Sequence, residues 1–177
     1  MTDNIIITGF GGQGILFAGK ILAYAALLKG KQLSWLPSYG PEMRGGTANC
    51  HVIISDEPVG SPIIIHPDIL VSMNKPSLDK FENDVVPGGT IIYDKTLIDR
   101  KVMRDDIKAA AVDATEIASR EAKASMANMI MLGALLKVTG IFTLDEIYAG
   151  VLKAVPPSKK DMAELNMKLI KEGYNNI

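Results

Sequence analysis

Cysteine and histidine are scarce in this 177-residue sequence: Cys50, His51 and His66 are all it has. A single thiol forms no internal disulfide, and two separated histidines make no ligand set, so this chain alone is expected to hold neither zinc nor an iron–sulfur cluster. Basic blocks are also missing. The 19 Lys and Arg and the 20 Asp and Glu are scattered and give a net charge of −1, which leaves no electrostatic footprint for nucleic acid or an anionic membrane. Neither is expected as a partner. No apolar run approaches the roughly 18 residues that a membrane span needs. The opening "MTDNIII" enters a strand-like run without a basic leader, so a cytoplasmic chain starting at Met1 is expected.

What is present suits one core. With 47% hydrophobic and 22% charged residues, residues 1–177 read as a single domain. The apolar run at 4–8 stops at Gly9, as a strand buried on both faces does. Residues 13–29 have helical length and apolar residues on most faces, and 31–37 read as a second strand that closes a right-handed β-α-β unit. Residues 37–47, "PSYGPEMRGGT", hold three glycines and two prolines and predict a long loop of functional character. The runs at 48–56 and 60–66 are joined by a turn too short for a crossover helix, which predicts that they pair antiparallel. Strands at 68–74, 89–95 and 109–114, a helix near 76–83, and helices near 115–123, 126–138, 143–153 and 158–172 complete the reading. The expected fold is α/β: a three-layer α/β/α, Rossmann-like domain with a mixed, mostly parallel sheet and C-terminal helices.

"GFGGQG" places Gly9, Gly11 and Gly14 at the spacing of a dinucleotide fingerprint, whose glycines allow a tight turn, close approach to a pyrophosphate and packing of helix on strand. The fingerprint also needs an acidic residue about 20 positions on, at the end of the second strand. Here that strand ends in Leu36, Pro37 and Ser38, the first carboxylate after Gly14 is Glu42, and the first arginine is Arg44. The nicotinamide reading is weakened accordingly. An anion site for another phosphate and close packing without a ligand both stay open. Gly12 slims the loop beyond what packing needs, and Gln13 offers an amide to a ligand or a facing surface.

The second loop gathers Tyr39, Glu42 and Arg44 among glycines, after a strand edge where open α/β sheets place ligands. Glu42 and Arg44 point the same way in extended backbone, either as an incidental ion pair or as a fork for an anion. Taken together, "GFGGQG", "SYGPEMRGGTANCHVIISDEPVGSP" and "NMIMLGAL" resemble the gamma subunit of 2-oxoacid:ferredoxin oxidoreductases, over residues 4–140. Within that family "PSYGPEMRGG" looks more like the 2-oxoglutarate and branched-chain types than the pyruvate type.

The resemblance implies a complex with alpha, beta and delta chains that turns a 2-oxoacid and CoA into acyl-CoA and CO2. Such a complex uses thiamine diphosphate and iron–sulfur clusters on its other chains and reduces ferredoxin. This chain would be a required but non-catalytic subunit with no cofactor of its own. Gly9, Gly11, Gly12, Gln13, Gly14 and Arg44 are then the candidates for contact with CoA or its phosphates. Ser38, Tyr39, Gly40, Pro41, Glu42, Arg44, Gly45, Gly46 and Asn128 are the candidates for subunit contact, and an alternative makes both loops pure interface. A stand-alone nucleotide-binding oxidoreductase and a non-enzymatic binding module are the competing classes. Asn74 and Asp94 end predicted strands, where they either line the crevice or cap helices. Asn128, in an apolar helix, needs an internal partner or a subunit contact. The methionines at 103, 126, 129, 131 and 162 read as core filling or a soft partner surface, and Trp35 as core or interface.

Overall fold

The computed structural model describes residues 1–38 and 47–177. Strand β1 (Thr2–Gly9) carries Ile5, Ile6 and Ile7, all buried on both sides of the sheet. It is therefore a central strand. A glycine turn leads into helix α1 (Ile15–Leu28), then come β2 (Gln32–Ser38) and β3 (Ala48–Ser55). After β4 (Ile69–Ser72) follow α2 (Lys75–Phe81), a 3-10 turn at Glu82–Asp84, β5 (Thr90–Asp94) and β6 (Lys108–Val112). Helices α3 (Ala114–Glu121), α4 (Ala127–Thr139), α5 (Leu144–Ala154) and α6 (Lys160–Asn175) complete the chain.

The six strands lie in the order β2-β3-β1-β4-β5-β6. β1, β4, β5 and β6 run parallel, while β3 is antiparallel to both of its neighbours, β1 and β2. The sheet is mixed as expected, but the predicted pairing of 48–56 with 60–66 is wrong. A strand has two edges, and β1 and β2 take both edges of β3. Residues 60–66 form no strand. Instead the Ile64 N–H donates to Nδ1 of His51 at 2.9 Å, which lays this proline-flanked segment across one face of β3. β2 follows β1 and α1 as expected and runs parallel to β1, with β3 inserted between them.

The two faces of the sheet are covered unequally. One carries α1, α3, α4, α5 and α6 over a large core centred on α4, in which every residue from Asn128 to Leu136 is buried. The other carries α2, its 3-10 turn and two loops over a smaller core built on Ile6, Leu70, Ile91 and Tyr93. α5 starts with a full capping box, Thr143 and Glu146 each bonding the other's backbone N–H. Among the described residues, no helix is long and apolar enough to cross a membrane.

Candidate functional site

β1 delivers the glycine turn to the top of the sheet, and each glycine there has its own reason. A side chain on Gly9 would meet Gln13 Oε1 at 2.5 Å and Met73 Cβ at 3.1 Å. Gly12, at φ +89°, faces open space. Gly14 sits in the left-handed region, at φ 70°, as the N-cap of α1, and a Cβ on it would run into the Asn128 amide. Only glycine adopts these positive-φ conformations without strain. Gly11 is exposed in the turn.

Gln13 and Asn128 hold this turn from inside. Gln13 Oε1 accepts the Phe10 N–H at 2.5 Å, and its Nε2 donates to the Met73 carbonyl at 3.2 Å, tying the turn to the end of β4. Asn128 Nδ2 donates to the Gly14 carbonyl at 3.0 Å, joining the first turn of α4 to the N-terminus of α1. Both amides are thus engaged within the chain, and Asn128 is buried. α1 begins with no side-chain cap and no acidic residue in its first turn, so the positive end of its dipole is uncompensated. That feature of the turn suits an anion.

The remaining candidates fall in several places. Ser38 is the last residue of β2; Tyr39, Gly40, Pro41, Glu42, Arg44, Gly45 and Gly46 lie outside the described residues. Asn74 caps α2 by accepting the Ser77 N–H at 2.9 Å. The Asp94 carboxylate accepts from the Thr115 N–H and hydroxyl and from the Thr96 N–H, anchoring the start of α3 from the end of β5. Both carboxyl-end polar residues therefore serve as caps. Met129 and Met131 are core, while Met103 and Met162 are exposed. Half-buried Trp35 lies on the α1 side of the sheet, its indole nitrogen beside Gly19.

The residues do not fit an iron–sulfur cluster. Such a cluster takes four protein ligands, mostly thiolates. The only thiol, on Cys50, is buried beneath α1, donates to the Ile15 carbonyl at 3.6 Å, and is pushed up to about 12 by burial. It stays protonated at neutral pH. Among the described residues no group of three His, Cys, Asp or Glu is placed to hold a metal ion.

A structural feature that sequence reading missed is a polar staple on the thinner face. Glu82, buried, accepts from Arg100 Nη2 at 2.6 Å and from the Met103 N–H, while Arg104 reaches the Glu82 and Val85 carbonyls. The arginines four apart in "RKVMR" are the signal that could have found it. It shapes the loop after β5 and lies away from the glycine turn.

Comparison with known proteins now adds to this geometry. Residues 4–176 match the family model described as "Pyruvate ferredoxin/flavodoxin oxidoreductase". The ketoisovalerate oxidoreductase subunit VorA of Methanothermobacter thermautotrophicus is 43% identical across 96% of this chain, although this chain spans only 35% of that longer protein. The 2-oxoglutarate synthase subunit KorC of Methanocaldococcus jannaschii is 40% identical over 98% of this chain and 93% of its own length. The crystal structure of the keto/oxoacid ferredoxin oxidoreductase gamma subunit of Geobacter sulfurreducens superposes with a TM-score of 0.84 at 32% identity, covering 98% of this chain and 97% of that one. The chain belongs to the pyruvate ferredoxin/flavodoxin oxidoreductase family.

Proposed function

We propose that this chain is the non-catalytic gamma subunit of a cytoplasmic 2-oxoacid:ferredoxin oxidoreductase. The near end-to-end match to a 2-oxoglutarate synthase subunit carries the reading. In the assembled enzyme the bond between the 2-oxoacid carbonyl and its carboxylate breaks and CO2 leaves. The acyl carbon joins the CoA sulfur as the thiol gives up its proton to solvent, and the two electrons left when CO2 departs pass to ferredoxin. On this reading thiamine diphosphate and the iron–sulfur clusters belong to the alpha, beta and delta chains; for the clusters, one cysteine in this chain is too few. 2-Oxoglutarate is the favoured substrate class, and the 43% identity to a ketoisovalerate subunit supports a branched-chain acid as the second reading.

Within this assembly the glycine turn and Arg44 serve CoA. The uncapped start of α1 and the slim backbone at Gly11 and Gly12 suit a phosphate or the pantetheine arm. Gln13 and Asn128 hold the turn in shape. The test is anaerobic purification of the tagged chain from its source, followed by a dye-reduction assay with CoA and a panel of 2-oxoacids. Co-purification of thiamine- and cluster-bearing chains with CoA-dependent activity on one acid is the expected result. A chain that arrives alone and binds NAD tightly would overturn it in favour of a stand-alone nucleotide-binding oxidoreductase.

A further inference from the structure

We infer that the outer side of the β2–β3 pair, with the 62–66 segment lying across it, is the surface that seats a partner subunit of the oxidoreductase. The inference rests on the subunit reading above. Along β2, Leu33 and Trp35 face α1, so Ser34 and Leu36 face the other side. No helix among the described residues packs extensively on that side of β2. Leu36 lies directly across from His51, and His51 is the residue that holds the Ile64 N–H. Ile64 is thereby buried, while its neighbours Ile63 and Ile65 are 62% and 70% exposed. Two exposed branched apolar side chains thus flank the residue that His51 holds, on a side of β2 where no helix among the described residues packs extensively.

Among the described residues no strand pairs with the outer edge of the strand beside this patch. β2 is an edge of the sheet, and its sequence QLSWLPS carries no charge. Edge strands left in water are usually guarded by charges, bulges or prolines; among the described residues Pro37 is the single guard of this edge, near the far end. The ion pairs among the described residues lie elsewhere, and the Lys31–Asp56 pair marks the border of the neutral zone. A neutral, apolar surface beside an open strand edge has the character of a permanent subunit interface, where charge is depleted from the centre.

The relatives indicate the occupant. In VorA the matching region is 35% of a longer polypeptide, whereas KorC is matched over 93% of its length. The same unit therefore occurs joined to a larger chain and nearly alone. Where it is nearly alone, contact that the longer chain secures covalently has to be made by surface. A partner subunit with an uncharged apolar face, able to add backbone hydrogen bonds along β2, meets that need.

The test compares Ile63→Lys/Ile65→Lys with Met103→Lys, a change at another exposed apolar side chain on a different loop. All three side chains face solvent, so both variants should melt like the wild type. Wild type and M103K should bring down partner chains with CoA-dependent 2-oxoacid oxidation. The double variant should bring down on the order of tenfold less of both, and the β2 amides that do not bond to β3 should exchange hydrogen slowly in the assembled wild type and M103K but not in the double variant. Full retention of partners and activity by the double variant would overturn the surface. A wild-type chain that pairs only with itself, in a dimer that the double variant dissolves, would replace the partner subunit by a second copy. A wild-type chain that purifies as a monomer without partners would overturn the subunit reading, and this inference with it.

Discussion

The two faces of the sheet are covered by different physical means. On the helical face, backbone meets backbone: a Cβ on Gly133 of α4 would overlap the Ile170 carbonyl of α6, and one on Gly173 of α6 would overlap the Ile130 carbonyl of α4. Gly150 of α5 does the same against α1, its missing Cβ standing 2.7 Å from the Ile21 carbonyl. The thinner face has no helix-to-helix notch among the described residues: apart from Gly89, whose missing Cβ stands 2.7 Å from Val85 and 2.8 Å from the Val86 carbonyl in the turn before β5, it relies on side chains, Glu82 with Arg100, Arg104 with backbone carbonyls, and the His51 ring with Ile64. Close helix packing has little room to adjust, whereas a staple of side chains leaves part of a sheet uncovered. The difference explains why the apolar surface open to a partner lies on the thinner face.

If the glycine notches set the helical layer, filling one should have the largest effect. Gly133→Ala and Gly173→Ala each drive a methyl into a backbone carbonyl, which neither helix relieves without moving. Each should cost roughly 3 kcal/mol, the upper range for overpacking, read as a lower urea midpoint at unchanged slope. A loss within a few tenths of a kcal/mol would mean that the helices slide apart freely, which would end the contrast between the faces.

On the opposite face the comparable experiment is Glu82→Ala. It removes a buried carboxylate that Arg100 and the Met103 N–H both use, although Arg100 keeps Asp79 and some access to water. The expected loss is about 2 kcal/mol, between that of a charged hydrogen bond and that of a fully buried pair. Faster hydrogen exchange should be confined to residues 96–107. Loosening that spread into α4 would show that the two faces are not independent.

A smaller effect is expected at the junction of helices and glycine turn. Asn128→Ala removes the bond to the Gly14 carbonyl and should cost about 1 kcal/mol. The amide protons from Phe10 to Ile15 should exchange faster, and the apparent affinity of the assembled enzyme for CoA should fall if the turn serves CoA. Unchanged exchange in the turn would show that Gln13 alone holds it.

Much of this architecture is legible in the sequence wherever the signal is local. The run 4–8, the glycine turn, the long apolar helix after it and all four C-terminal helices follow from periodicity and breakers, within a few residues of their observed ends. The misreading at 60–66 is non-local. "PIII" has strand propensity, but both edges of β3 are taken by strands that begin elsewhere in the chain. The glycine notches escaped for the same reason, since Gly133 and Gly173 are forty positions apart and meet only when α4 crosses α6. At the candidate site, Gln13 stands out in the sequence as an amide in a glycine loop and Asn128 as a polar residue in an apolar helix. Their partners, Met73 and Gly14, lie 60 and 114 positions away, which no local pattern encodes.

The smallest prediction concerns His51, where the thinner face depends on a protonation state. Its Nδ1 accepts the Ile64 N–H, which requires a neutral ring, and burial lowers its pKa below the ordinary 6.5. The folded chain therefore binds this proton less readily than the unfolded chain. The resulting stability is fully present above about pH 6.5 and is lost as pH falls through the lowered folded-state value. The slope for one such group cannot exceed about 1.4 kcal/mol per pH unit. Asp3, whose pKa is raised by burial and by Asp68, acts in the opposite direction at lower pH, so the informative quantity is the difference between wild type and His51→Gln. Urea midpoints at about pH 7.5 and about pH 5.5 should show the wild type losing more stability on acidification than the variant. Protection of the Ile64 amide, measured against its intrinsic exchange rate at each pH, should fall at the lower pH in the wild type alone. Equal losses in both proteins would mean that the His51 ring bond does not hold the 62–66 segment, and that the buried Ile64 side chain alone keeps Ile63 and Ile65 turned outward.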